Sequence, residues 1–248
     1  MKKIALLLSL VVVGQFAKAQ EANNRVITTG VPFLLVAADA RSAGMADMGV
    51  ATSADAFSQQ WNPAKYAFST EKQGFTTSYT PYLTALVNDI SLGQVNYFNR
   101  YNERSAFAVS LRYFSLGEIT FTDISGNVLR DDKPSEFELT GAYAFRLAKK
   151  LSIGINGKFA YSNLTGGLTV GGVNTKAGVV GGADFSITYR NDDAKIGNTD
   201  GTYTFATTLN NLGNKVAYSE LSKRDFIPMN LKIGNAFEAE FDDYNKVT

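Results

Sequence analysis

From Gly74 onward large apolar residues recur at every second position, and this alternation restricts the possible folds more than any other feature of the chain. Phe107, Val109, Leu111 and Tyr113 alternate with Ala106, Ala108, Ser110 and Arg112. Phe137, Leu139, Gly141, Tyr143 and Phe145 alternate with Glu138, Thr140, Ala142 and Ala144. Leu151, Ile153, Ile155, Gly157, Phe159 and Tyr161 alternate with Ser152, Gly154, Asn156, Lys158 and Ala160. Three further runs, through Phe185 to Tyr189, Tyr203 to Leu209 and Leu231 to Phe241, continue the series. Successive side chains of a strand point to opposite faces, so each run has one apolar face and one small or polar face. With a strand near Phe75 to Tyr79 and a less regular one from Val87 to Asn99, the count is about eight. Strands of roughly nine to eleven residues suit a tilted membrane span, whereas soluble sheets favour about five or six.

Two packings satisfy such a pattern. A soluble sandwich buries the apolar face against a second sheet, and a membrane barrel turns it to lipid while the polar face lines a lumen. If the first strand rises from the periplasm, the outer loops are Pro81 to Leu86, Thr122 to Ser135, Leu164 to Gly178 and Asn214 to Ile227. The inner turns are then Arg100 to Arg104, Ala148 to Lys150, Asn191 to Thr202 and Asp242 to Lys246. Outer-membrane barrels have short inner turns and longer outer loops, and Asn191 to Thr202 is the exception here. The ending from Phe241 to Thr248 reads as a turn and the start of another strand. A C-terminally truncated barrel is therefore expected, with a self-contained eight-stranded barrel as the alternative.

The chain before these strands is of another kind. Met1 to Ala19 has the form of a secretory signal peptide: Lys2 and Lys3, an apolar run from Ile4 to Val13, and Ala17-Lys18-Ala19 at the cleavage point. That apolar run is too short for a transmembrane helix, which needs about twenty residues. Residues 20–73 form an N-terminal segment with short helices, and residues 74–248 carry the strands. Between Gln20 and Ala38 an extended, buried segment is expected along the lower rim of the barrel, on the side of the short turns; Pro32 argues against a central strand there. Ser53 is the expected N-cap of a short helix running towards Gln60, which must stop near Asn62 because Pro63 disfavours helix before it. Trp61, Tyr66 and Phe68 pack on the barrel wall or sit at a membrane interface, and the sequence leaves both open.

Composition removes several functions. There are no cysteines and no histidines, which excludes a disulfide framework, thiol chemistry and the commonest general base and metal ligand. Loss of Lys2, Lys3 and Lys18 with the signal peptide takes the formal charge from +1 to −2, and nothing in it suggests nucleic acid. No paired carboxylates stand at a recognisable catalytic spacing, so neither an enzyme nor a cofactor or metal is expected. In the loop Leu164 to Gly178, Leu168 and Val170 stand beside Gly171 and Gly172. That loop either docks into a hydrophobic groove of a partner or is floppy or folded inward. It lacks the Gly-Lys-Ser/Thr ending of a phosphate-binding loop.

The run Asp39 to Phe68, rich in Gly, Ala and Ser and ending in Trp61-Asn62-Pro63-Ala64, resembles the N-terminal signature of FadL-like outer-membrane barrels, most closely the PorV/PorQ family. The resemblance implies an all-β fold: an antiparallel transmembrane β-barrel, fourteen-stranded in the family, with a Gly/Ala-rich helical and loop segment at its N-terminus. It implies an outer-membrane component of the type IX secretion system that binds the C-terminal signal of secreted proteins. Its implied partners are the translocon barrel, cargo with a C-terminal sorting domain, the surface sortase or attachment complex, and outer-membrane lipid. The alternative is a FadL-like transporter of hydrophobic small molecules, which the lumen-facing Arg112, Glu138, Lys158 and Glu240 do not suggest.

Overall fold

The computed structural model describes residues 29–123, 125–170, 172–197, 199–220, 224–241 and 246–248. Met1 to Ala19, read as a signal peptide, lies outside these residues. The alternating runs form β1 (Gln73–Pro81), β2 (Ile90–Asn99), β3 (Ser105–Leu116), β6 (Ser135–Ala148), β7 (Leu151–Asn163), β10 (Gly178–Ile196), β11 (Thr199–Gly213) and β12 (Asn230–Glu240). They make one antiparallel, curled sheet in the order β1-β2-β3-β6-β7-β10-β11-β12, extended by the two residues of β13 (Lys246–Val247). Among the described residues β1 pairs only with β2, and β1 and β12 do not meet. Two hairpins, β4 (Ile119–Thr122) with β5 (Val128–Asp132) and β8 (Thr169–Val170) with β9 (Val173–Asn174), sit within connections at one end. No described helix is long and apolar enough to cross a membrane, which says nothing about crossing by strands.

The polarity of the sheet is inverted relative to a soluble sandwich. On β3 the apolar residues Phe107, Val109, Leu111 and Tyr113 are 40–51% exposed, whereas Ala106, Ala108, Ser110 and Arg112 are at most 6% exposed. β6, β7 and β10 repeat the pattern, with Leu139, Ile155 and Ile187 outward and Thr140, Asn156 and Thr188 buried. Pairing registers also align the outward aromatics. Tyr79, Gly93, Tyr113, Phe137 and Tyr161 lie in one line across five strands. Phe107 and Tyr143, cross-strand neighbours, lie six residues nearer the short turns, or about 20 Å along the strands. An apolar band bounded by aromatic residues thus runs across the convex face of the sheet, the pattern that the outer face of a membrane barrel has.

The concave face is filled by the chain's own N-terminal part. The 3₁₀ turn Pro63–Phe68 touches β3, β6, β7 and β10, and Tyr66 stacks on Phe98 of β2 at 4.7 Å. Three sequence expectations need correction. The helix before Pro63 is Ser58–Trp61, not a longer one capped by Ser53, because Asp55 Oδ1 accepts from Phe57 N and Ser58 Oγ and holds residues 55–57 in a turn. Pro32–Leu35 lies not on the short-turn rim but at the opposite end. There Gly30 N donates to Phe226 O, and Phe33 and Leu34 pack with Ala160, Val180, Val216 and Ile227. Asn191 to Thr202 is no loop either: β10 and β11 continue as a hairpin as far as the Ile196–Thr199 pair, with Lys195 paired to Asp200.

Candidate functional site

The Trp61 to Ala64 motif fastens the insert to the wall. Asn62 is extended, and its Oδ1 accepts from Ala64 N, so the side chain caps the turn that Pro63 begins. Its Nδ2 donates to Val50 O at 2.7 Å and to Thr188 Oγ1 of β10 at 2.8 Å. Ala64 lies against the wall, where Ser152 Oγ donates to its carbonyl and Ser186 Oγ accepts from its N–H. Beneath it is Gly154, where a Cβ would fall 2.5 Å from Ala64 N. Trp61 is buried; its Nε1 donates to Asp39 Oδ2 at 2.6 Å, and Lys232 Nζ of β12 lies 4.4 Å over its ring. Gly49 supports the other side, since a Cβ there would reach 2.2 Å from the indole. Of the two sites left open for Trp61 and Tyr66, the wall is the one observed.

Above this anchor runs a ladder of buried charges from four neighbouring strands. Arg112 of β3 pairs with Glu138 of β6, its Nε 2.6 Å from Oε2. Lys158 of β7 lies 3.6 Å from Glu138 and 2.9 Å from Asp184 of β10. Lys158 also donates to Asn211 Oδ1 at 2.6 Å. Arg112 reaches the insert, donating to Val36 O at 2.9 Å and lying over the Phe33 ring. Gln59 of the insert donates to Thr140 and Asn156. Two cations and two carboxylates compensate one another, which burial of charge requires. A cavity beside the ladder, bordered by Gln60, Gln94 and Lys232, measures about 20 Å³, room for about one water. Sequence reading placed Arg112, Glu138 and Lys158 on the inner face by parity but missed Asp184 and Gln59; Glu240 is exposed at the end of β12.

Lys65 is the insert's own buried cation. Its Nζ donates to Gly49 O at 2.7 Å and to Thr52 Oγ1 at 3.3 Å, and burial holds its pKa down to about 8 against the pull of Asp55. Among the described residues no acidic side chain pairs with it directly, and its charge is met by a carbonyl and a hydroxyl.

The long-loop end is closed as well. Val216 pairs with Asp225, Thr175 bridges to Ser219, and Tyr218 OH lies 2.9 Å from Ser162 Oγ, which donates to the buried Glu136. The loop Leu164 to Gly178 is not floppy. Thr175 N and Oγ1 both donate to Leu168 O, and Arg130 Nη2 of β5 donates to Gly166 O. Leu168 is half-buried, Gly172 is exposed at φ 81°, and Gly171 lies outside the described residues. Exposed apolar side chains surround this rim: Leu83, Leu86, Val128, Leu129 and Phe226.

A sheet that is apolar outside, polar within, and filled by its own N-terminal segment defines an all-β wall-and-plug protein. Among the described residues no group of His, Cys, Asp and Glu is placed to hold a metal. The chain belongs to the PorV family: the family model described as type IX secretion system protein PorV matches residues 18–248, and its members are components of that secretion system. No curated protein matches the chain.

Proposed function

We propose that this type IX secretion system protein is an exported outer-membrane barrel that carries out no chemistry of its own. It binds the C-terminal signal of secreted cargo and passes it from the translocon barrel to the surface attachment complex. The observation that carries this reading is the plugged inner face: among the described residues, an insert hydrogen-bonded to four strands and a four-charge ladder occupy the concave side of the sheet, and the cavity beside the ladder measures about 20 Å³. Binding therefore falls to outer surfaces, and the apolar rim at the long-loop end is the one equipped for it. In this reading residues 1–19 are the export signal, residues 20–73 are the N-terminal segment whose described part supplies the plug, and residues 74–248 carry the wall strands. Trp61, Asn62, Pro63 and Ala64 are its structural anchor, and Leu168, Val170, Gly171 and Gly172 are the partner-binding tip.

A transporter of hydrophobic small molecules is the second reading. In its favour is an apolar-lined cleft of about 720 Å³ between residues 45–52 and β12. Deleting Leu168 to Gly172 in the complete protein separates the two. The export reading expects an assembled barrel, reduced co-purification with the translocon and cargo accumulating in the cell. Normal secretion in a strain lacking the whole gene, with impaired uptake of a labelled long-chain fatty acid, would decide for the transporter.

A further inference from the structure

We propose that the corner where the β2–β3 turn meets β6 binds the headgroup of an anionic phospholipid, with Arg104 as its phosphate-binding group. The inference rests on the reading of the sheet as a membrane wall. Arg104 directly precedes β3 and is exposed, and its guanidinium lies over the ring of outward-facing Phe145 at 5.1 Å from the centroid. Nε is fixed by donation to Arg146 O at 3.3 Å, and the backbone closes the same corner through Arg146 N to Arg104 O at 2.7 Å. Neither Nη of Arg104 has a hydrogen-bond or ion-pair partner among the described residues, Glu103 included. Arg146, near the end of β6 beside it, turns inward over Phe68 of the insert. Arg104 remains on the apolar face.

Its surroundings fit a lipid rather than a free anion. Tyr101 OH and Tyr143 OH are 3.1 Å apart, and Tyr143 OH donates to Ser105 Oγ, the residue after Arg104. Tyr101 and Phe107 rings lie 6.3 Å apart and outward, where the apolar band begins. From the turn downward the order is a guanidinium with two free donor groups, then hydroxyls, then bare aromatic surface. That sequence matches phosphate, glycerol ester and acyl chain. A planar guanidinium offers paired donors to a phosphate, and aromatic rings with hydroxyl tips favour the membrane interface. The site lies at the short-turn end, which in outer-membrane barrels faces the periplasmic leaflet, the one built from phospholipid.

The test uses the complete protein reconstituted into vesicles. Flotation with resistance to carbonate extraction tests the membrane wall by itself. Native mass spectrometry after equal exposure to phosphatidylglycerol and phosphatidylcholine then tests the site. A preference of about fivefold for phosphatidylglycerol is expected, the effect of one basic side chain near a membrane surface. Arg104→Ala should abolish the preference and Tyr143→Phe should weaken it, with flotation unchanged in both. Floating protein without the preference, or with it intact in Arg104→Ala, overturns the proposal. So does displacement of phosphatidylglycerol by inorganic phosphate or by lipid A. Failure to float overturns the membrane wall and this site together.

Discussion

Lys65 illustrates how a single side chain reports on the plug. Its ammonium is fully enclosed, and its pKa of about 8 lies below the usual 10.5 because burial disfavours the charged form. Below pH 8 the folded and unfolded chains both hold the proton, and the cost of burying the charge is present in full. Between pH 8 and 10.5 the folded chain releases a proton that the unfolded chain keeps, so folding gains stability as pH rises. The stability of the native protein relative to Lys65→Met should therefore increase across that window by up to ~3 kcal/mol, at 1.36 kcal/mol per unit. Thermal unfolding in detergent at pH 7, 9 and 10.5 measures it; a constant difference would mean that Lys65 is hydrated. None of this was legible in the sequence, where Lys65 was only the residue after the motif. Its partners, Gly49 and Thr52, are supplied by the fold of the insert.

At the scale of elements, the strands were readable and the plug's path was not. A strand announces its faces through a period of two, so β3, β6 and β7 follow directly from their sequences. The β10–β11 hairpin was missed because Asn191-Asp192-Asp193 has the polarity of a loop, and what keeps it in the sheet is pairing across the hairpin. The plug's position depends on bonds between residues 81 to 126 apart, such as Gln59 to Thr140 and Asn62 to Thr188, which no local pattern encodes. One glycine tests the fit between plug and wall. Gly154→Val places carbon where Ala64 N and Ser186 Oγ already stand, within 2.6 Å. Overpacking of this kind typically costs about 1–3 kcal/mol, and here the plug must lift. Limited proteolysis should then cut residues 49–68, whereas Gly141→Ala, with open space on the outward face, should leave them protected. Protection retained in Gly154→Val would show that the plug tolerates displacement.

For the whole molecule, the proposed membrane wall makes stability depend on depth in the bilayer. Leu111 is central between the two aromatic rows and Tyr113 belongs to one of them. Leu111→Arg should cost about 2–4 kcal/mol in folding into lipid vesicles, and Tyr113→Arg about 0–1 kcal/mol. Equal costs at the two positions would contradict a membrane-spanning wall. The plug also constrains the history of the molecule. Residues 31–68 precede every wall strand in the chain, yet they end up bonded inside the curve of those strands. The Asn62 and Ser152 bonds between insert and wall can therefore form only once β7 and β10 have been made, long after residues 31–68. The insert is present from the outset as a surface on which the strands can be wound. Because its contacts are so distant in sequence, the winding is slow, with unsatisfied strand edges exposed until late. A chain of this design spends its vulnerable period before those distant contacts form, when its strand edges are open to other chains.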